Sequence, residues 1–215
     1  MGGFIPRLKS RVFSARLIKN LIKEESCANK EQRFYKDGLS EFLYRCIDLS
    51  APISVFKCFS DLGANINSLD MFDRTPLFYA IRKMNGDAMK ETVSFLVESG
   101  ADVNITNDEE KTPLMEAADC GELELMEILL EHGAAVDSID EYGNNVLFYA
   151  RRTEAAEMLI SAGVDVNFVN EDYFEEEDYF KDNVGVTPLM NAFEEGNNSV
   201  AEVFLNHGAR TDIVD

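Results

Sequence analysis

Basic residues are scarce in this 215-residue chain. Twenty Lys and Arg stand against 40 Asp and Glu, a formal charge of −20. A deficit of that size argues against nucleic-acid phosphate as the main partner, because phosphate binding works through Lys and Arg displacing condensed counterions. It favours a basic protein partner, or simply solubility. Histidine is scarcer still, with only His132 and His207. Each stands directly before a Gly-Ala pair, where a hydrogen-bonding ring suits the exposed carbonyls of a helix end. They are too far apart to complete a Ser/His/Asp or Cys/His set. The four cysteines, Cys27, Cys46, Cys58 and Cys120, include no C-x-x-C pair. They read as reduced, mostly buried thiols in a cytosolic setting. There is no Gly-rich phosphate loop and no metal-ligand cluster. The expectation is therefore a non-enzyme with no catalytic, cofactor-binding or metal-binding residues. No apolar run of about 18 residues is present, which excludes a membrane span of that kind. The basic start (Arg7, Lys9, Arg11) is not followed by the unbroken apolar core of a signal peptide. Pro6 stands where a myristoylation signal opening on Gly2 requires Ser or Thr. A cytoplasmic protein is expected.

What is present in quantity is apolar: 46% of the residues are hydrophobic, enough for a sizeable core in one domain or two. The charge is uneven. Residues 1–36 carry nine basic and three acidic residues, whereas the remainder carries 11 basic and 37 acidic ones. The first segment is chemically distinct from the body.

The body repeats itself. Thr-Pro-Leu occurs at Thr75-Pro76-Leu77, Thr112-Pro113-Leu114 and Thr187-Pro188-Leu189, each followed three residues after Leu by Ala80, Ala117 or Ala192. A weaker copy reads Asn145-Val146-Leu147 with Ala150, and the earliest reads Ser40-Glu41-Phe42. A second mark follows each: Gly63-Ala64-Asn65-Ile66-Asn67, Gly100-Ala101-Asp102-Val103-Asn104, Gly133-Ala134-Ala135-Val136-Asp137, Gly163-Val164-Asp165-Val166-Asn167 and Gly208-Ala209. Thr, Asn or Ser makes a helix N-cap, and proline fits the first helical position because its missing N–H costs nothing there. The small Ala lets a neighbouring helix approach. A second helix follows, as in residues 123–130, whose apolar 125, 126, 129 and 130 form a stripe at helical spacing. Glycine then ends it. One unit is helix, turn, helix and a projecting loop.

Five such units in register resemble ankyrin repeats, whose pattern is Thr-Pro-Leu-His-x-Ala with a later Gly-Ala-Asp-Val-Asn. The resemblance covers about residues 37–215. It implies an all-α ankyrin-repeat solenoid with units near 37–69, 70–106, 107–139, 140–169 and 182–215. One departure is systematic: Phe78, Met115, Phe148 and Met190 replace the family's His, so apolar packing is expected where that His makes a polar link.

Departures from the period map to loops on one face. From Ala to Gly, units three and five span 16 residues, unit two 20 and unit four 13. About four residues are thus added between the helices of unit two, near 84–87, and unit four is trimmed in its turn or its helices. The largest departure precedes unit five. Asn104 leads Thr112 by eight residues, but Asn167 leads Thr187 by twenty. The twelve added residues, at 171–182, hold Tyr173, Phe174, Tyr179 and Phe180 among carboxylates. Two readings compete: the aromatics are interface anchors with acids steering a basic partner, or they fold back onto the adjacent loop. A calcium loop fits poorly, for want of the Gly and the ligand order.

Residues 13–23 of the basic 1–36 segment fit an amphipathic helix, with Phe13, Leu17, Ile18, Leu21 and Ile22 on one arc and Arg16, Lys19 and Lys23 on the other. It reads as a helical cap over the first repeat. Lying on anionic lipid, or serving as a partner-binding or secretion-related segment, are the alternatives.

The resemblance implies binding through a concave face of loops and first helices. By position, the exposed loop residues are Phe72, Arg74, Glu109, Glu110, Tyr142 and Asn144. Those on first helices are Tyr79, Arg82, Glu116, Asp119, Tyr149, Arg152, Asn191 and Glu194. The expected partner-binding set is Phe72, Arg74, Tyr79, Glu109, Glu116, Tyr142, Tyr149 and Arg152, with Tyr173, Phe174, Tyr179 and Phe180 of the insert. The expected function is a monomeric, non-enzymatic module that binds a basic protein. The alternatives are an inhibitor or immunity-type protein that blocks a toxin or enzyme, and a membrane-surface adaptor acting through the N-terminal helix.

Overall fold

A computed structural model describes residues 39–170 and 185–212. The amphipathic segment at 13–23 and the aromatics of the insert lie outside the described residues. The chain divides into two compact units, one ending at Asp102 and the other beginning at Val103.

The first unit contains two helix pairs: α1 (Ser40–Asp48) with α2 (Ile53–Asp61), and α3 (Pro76–Lys83) with α4 (Gly86–Glu98). First helix packs on first helix and second on second, α1 against α3 and α2 against α4. Leu43, Phe56, Leu77, Phe78, Val93 and Leu96 are wholly buried between them. The cap expected at Thr75 forms: its side chain accepts the Phe78 N–H at 3.2 Å, with Pro76 beginning the helix. Ser40 departs from that expectation. It lies inside the first turn of α1, and its hydroxyl accepts the Asn65 N–H at 3.2 Å instead. The four extra residues of the second repeat do not widen a turn. They lengthen α4 to 13 residues where α2 has nine, because Met89, Thr92 and Val93 continue a buried stripe back to the start of the helix.

The second unit holds α5 (Pro113–Cys120) with α6 (Leu123–Glu131), a 3₁₀ turn (Val146–Tyr149) with α7 (Thr153–Ser161), and α8 (Pro188–Glu194) with α9 (Asn198–Asn206). Thr112 and Thr187 cap α5 and α8 at 3.2 Å. The trimming of the fourth repeat falls on its first helix, which shrinks to the 3₁₀ turn capped by Asn145. Its Leu147 and Phe148 remain buried in the usual places. Phe78 and Phe148 meet the expectation of apolar packing. Met115 does not meet it fully, since its sulfur accepts the Thr112 N–H at 3.4 Å and closes a reciprocal cap. Gly133 ends α6 at φ 82, a left-handed conformation that costs a residue with a Cβ about 1–2 kcal/mol. Beside it, Nδ1 of His132 meets the Ile128 carbonyl at 2.8 Å, and His207 meets Val203 in the same way.

Where the glycine motif closes on Asn, at Asn67, Asn104 and Asn167, that side chain ties the motif to the next one along the chain; the third motif closes on Asp137 instead. Asn104 donates to the Gly133 carbonyl at 3.1 Å and accepts the Ala135 N–H at 2.8 Å. Asn67 and Asn167 make the same pair of bonds.

Candidate functional site

The projecting loops are built around one buried residue each. Asp70 Oδ1 accepts the N–H groups of Phe72 and Arg74 at 2.9 and 3.0 Å. Asn107 does the same for Glu109 and Lys111, and Asp140 for Tyr142 and Asn144. Asp and Asn favour this because a short side-chain oxygen replaces the backbone acceptor of a turn. The backbone closes each base, from Asp70 to Arg74 at 3.0 Å, Asn107 to Lys111 at 3.1 Å and Asp140 to Asn144 at 3.1 Å. Three residues are left as the tip, all exposed in the first two loops, whereas in the third Glu141 and Tyr142 are exposed and Gly143 is buried. Asn170 and Val186 form the same base by an antiparallel bridge with bonds of 2.9 and 3.1 Å. The insert therefore leaves from the tip of an otherwise regular loop. Gly185 sits close under that bridge, where a Cβ would run into Val169 Cγ1.

In the first unit, the residues expected to bind a partner hold one another. Arg74 Nε and Nη2 both donate to Asp70 Oδ2, at 2.9 and 2.6 Å. Its guanidinium lies 4.6 Å from the Phe72 ring centre and 4.9 Å from that of Tyr79. The Tyr79 hydroxyl donates to Asp48 at 2.8 Å. Phe72 remains exposed, as do Leu69 and Met71 beside it, which the sequence reading missed.

In the second unit, successive tips are stitched together. The Glu141 N–H donates to the Glu109 carbonyl at 3.0 Å, and Asn170 Nδ2 donates to the Tyr142 carbonyl at 2.8 Å. Asp108, Glu109, Glu110, Glu141 and Tyr142 are exposed on these tips. The one cation of these two loops, Lys111, is buried. Glu141 raises the Tyr142 phenol above its ordinary value, by hydrogen bond and by charge, with Glu109 and Asp140 adding to it.

Glu116 was expected at the surface and is not there. At 3% exposure it is buried, with its carboxylate 3.3 Å from the Lys111 ammonium. Lys111 also reaches Asp119 at 3.0 Å and stands 4.2 Å from the Tyr149 ring centre. Asp119 continues to Arg151 at 3.0 Å, and Arg151 to Glu195. Burial pushes Asp119 up, but its bonds and charges from Lys111 and Arg151 outweigh that and hold it below the usual carboxylate range. The Tyr149 hydroxyl donates to Asp140. Burial first, then the Asp140 bond and charge, push its phenol well above ordinary. Arg152 is also displaced from its expected place on a first helix. It precedes α7, where it pairs with Glu154 at 3.4 Å and approaches the Gly121 carbonyl. The thiols differ as well: Cys46 is buried, Cys58 half-buried and Cys120 exposed.

Among the described residues no helix is long and apolar enough to cross a membrane. A family model for ankyrin repeats in three copies matches residues 43–136 and 84–170, together more than half of the chain. The chain is 33% identical over 134 residues to the ankyrin repeat protein R664 of Acanthamoeba polyphaga mimivirus, covering 61% of this chain and 81% of that one. It is 32% identical over 133 residues to YahD of Escherichia coli, covering 58% and 64%. It is 29% identical over 155 residues to nuc-2 of Neurospora crassa, covering 70% of this chain but 13% of that protein.

Proposed function

This chain belongs to the ankyrin-repeat family, and from that premise we propose that it binds a basic protein through the acidic loop tips of its second unit and the insert that leaves from Asn170. Ankyrin repeats are generally protein–protein interaction modules and typically not enzymes. The observation that carries the finer reading is the sign of the exposed charge. Asp108, Glu109, Glu110, Glu141 and Tyr142 are all exposed on these tips, while Lys111 is turned into the core. A partner meeting these tips encounters carboxylates and an aromatic ring with no cation between them. The insert, with Tyr173, Phe174, Tyr179 and Phe180 among further acids, extends the same chemistry from the next base along.

Capture from the native source at low and at physiological salt tests this, with intact protein, a Glu109→Lys/Glu141→Lys variant and a variant lacking residues 171–182. A basic protein should be recovered at low salt, in lower yield at physiological salt, and poorly by both variants. Recovery independent of salt and of both changes would sink the proposal.

A further inference from the structure

We propose that Tyr142, flanked by Glu109 and Glu141, is the seat for one arginine side chain of the partner. The inference rests on the function proposed above and names the chemistry at one point of that surface. Its template lies within the chain. In the second repeat, Asp70, Phe72, Arg74 and Tyr79 form a closed set: the guanidinium donates through two nitrogens to Asp70 Oδ2 and packs against both rings. The fourth repeat carries Asp140, Tyr142, Asn144 and Tyr149 at the same four spacings. The acid and both aromatics are kept, but asparagine stands where the arginine was. The third repeat has its own cation at this position, Lys111, which is committed to Glu116, Asp119 and the Tyr149 ring. Among the described residues, no cation lies over Tyr142.

The fourth repeat is open at one end only: Asp140 already accepts the Tyr149 hydroxyl and Lys111 stands over the Tyr149 ring, so the face left for a guest is that of Tyr142. Tyr142 is 54% exposed. Its backbone is fixed from two sides, by its N–H to Asp140 at 3.0 Å and its carbonyl to Asn170 at 2.8 Å. The Glu141–Glu109 backbone bond at 3.0 Å brings the neighbouring tip alongside, so that carboxylates from two repeats border one ring. The phenol is raised first by its hydrogen bond with Glu141 and then by the charges of Glu141, Glu109 and Asp140. A planar guanidinium stacks on such a ring while its N–H groups reach carboxylates at the edge, which a compact ammonium cannot do equally well.

The test is an NMR titration of the full chain, observing the Tyr142 ring, with N-acetyl-arginine amide and its lysine and citrulline counterparts as probes. Arginine should shift the ring saturably. Citrulline, with the same shape and no charge, should bind roughly tenfold or more weakly, and lysine severalfold more weakly. Asn144→Arg should abolish the arginine shift by filling the seat from within, as Arg74 does in the second repeat. Tyr142→Leu, whose helical content should be unchanged, should remove the seat without replacing it and weaken capture of the partner severalfold. Equal responses to arginine and citrulline, or to arginine and lysine, overturn the inference. So does an arginine shift that survives Asn144→Arg, or no shift at all. If the partner is still captured in a salt-dependent way by Tyr142→Leu at full yield, the seat is refuted and the broader function stands. If intact protein captures no basic protein, the broader function fails.

Discussion

A lysine with 6% of its surface in water requires compensation, and Lys111 receives it from Glu116, Asp119 and the Tyr149 ring. Removing one member of such a cluster leaves a charge buried without a partner, which typically costs about 3–5 kcal/mol. Lys111→Met should therefore lower the unfolding free energy, read from urea denaturation, by an amount in that range, and Lys111→Met combined with Glu116→Leu should recover most of it. A single change without measurable cost would contradict the described packing. The titrating groups give a pH profile with two limbs. Asp119 is held below its ordinary value of 3.8, so the stability it contributes is present above that value and lost as pH falls through the lower folded one. Cys46 is pushed up from 9.0 to about 12, by burial first and then by Cys58. Its contribution is complete below 9 and lost as pH rises towards 12. Asp119→Asn should flatten the acid limb and Cys46→Ala the alkaline one, both read from denaturation midpoints across pH. Burial of Cys46 was expected from the sequence, whereas the pairing of Asp119 was not readable there. The partners of Asp119 are Lys111, eight residues away, and Arg151, 32 residues away, and only stacking of repeats brings them together.

At the scale of the element, caps and glycines were readable because they act within a few residues. Thr75, Thr112 and Thr187 cap the helices they were expected to cap, and Gly133 ends α6. Where the added residues fall, and which of the two readings of the trimming holds, was not readable, for one shared reason. The extra length in the second repeat went into α4 and the deficit in the fourth into a 3₁₀ turn. Each outcome depends on what the neighbouring helices leave to be covered, which no local window records. Glu116 was misplaced for the same reason, since its burial depends on Lys111 turning inward towards the next repeat. The loops add a local strain. Their third tip residue is left-handed in every described regular loop: Asp73 at φ 51, Glu110 at φ 57 and Gly143 at φ 75. Glycine is at ease there, whereas a Cβ costs about 1–2 kcal/mol, offset by roughly 0.5–1 kcal/mol of extra freedom in the unfolded chain. Glu110→Gly should thus raise thermal stability by a few tenths to about 1 kcal/mol, and a loss in calorimetry would count against the turn geometry.

For the molecule as a whole, the period of the marks was enough to give the all-α ankyrin-repeat fold, because repetition multiplies a weak local signal. The surface was less legible. The sequence supplied which residues lie on loop tips, but not that Arg74 is spent on Asp70 or that Lys111 is withdrawn, and these decide where exposed charge remains. The insert also yields a prediction about the whole fold. Deleting residues 171–182 leaves Asn183, Val184 and Gly185 between Asn170 and Val186, the three-residue tip of the regular loops, with glycine at the left-handed position. Helical content by circular dichroism should be unchanged, and the melting temperature should move by no more than a few degrees.

The bridge between Asn170 and Val186 has one further consequence. It sets the ends of the intervening chain side by side whatever their separation in sequence, and the entropy of closing such a loop grows slowly, by about 0.6 kcal/mol for each doubling of length. That rung is a splice port. Segments of very different length and composition can be exchanged there while the frame on either side keeps its register, so the loop can diversify faster than the scaffold that carries it.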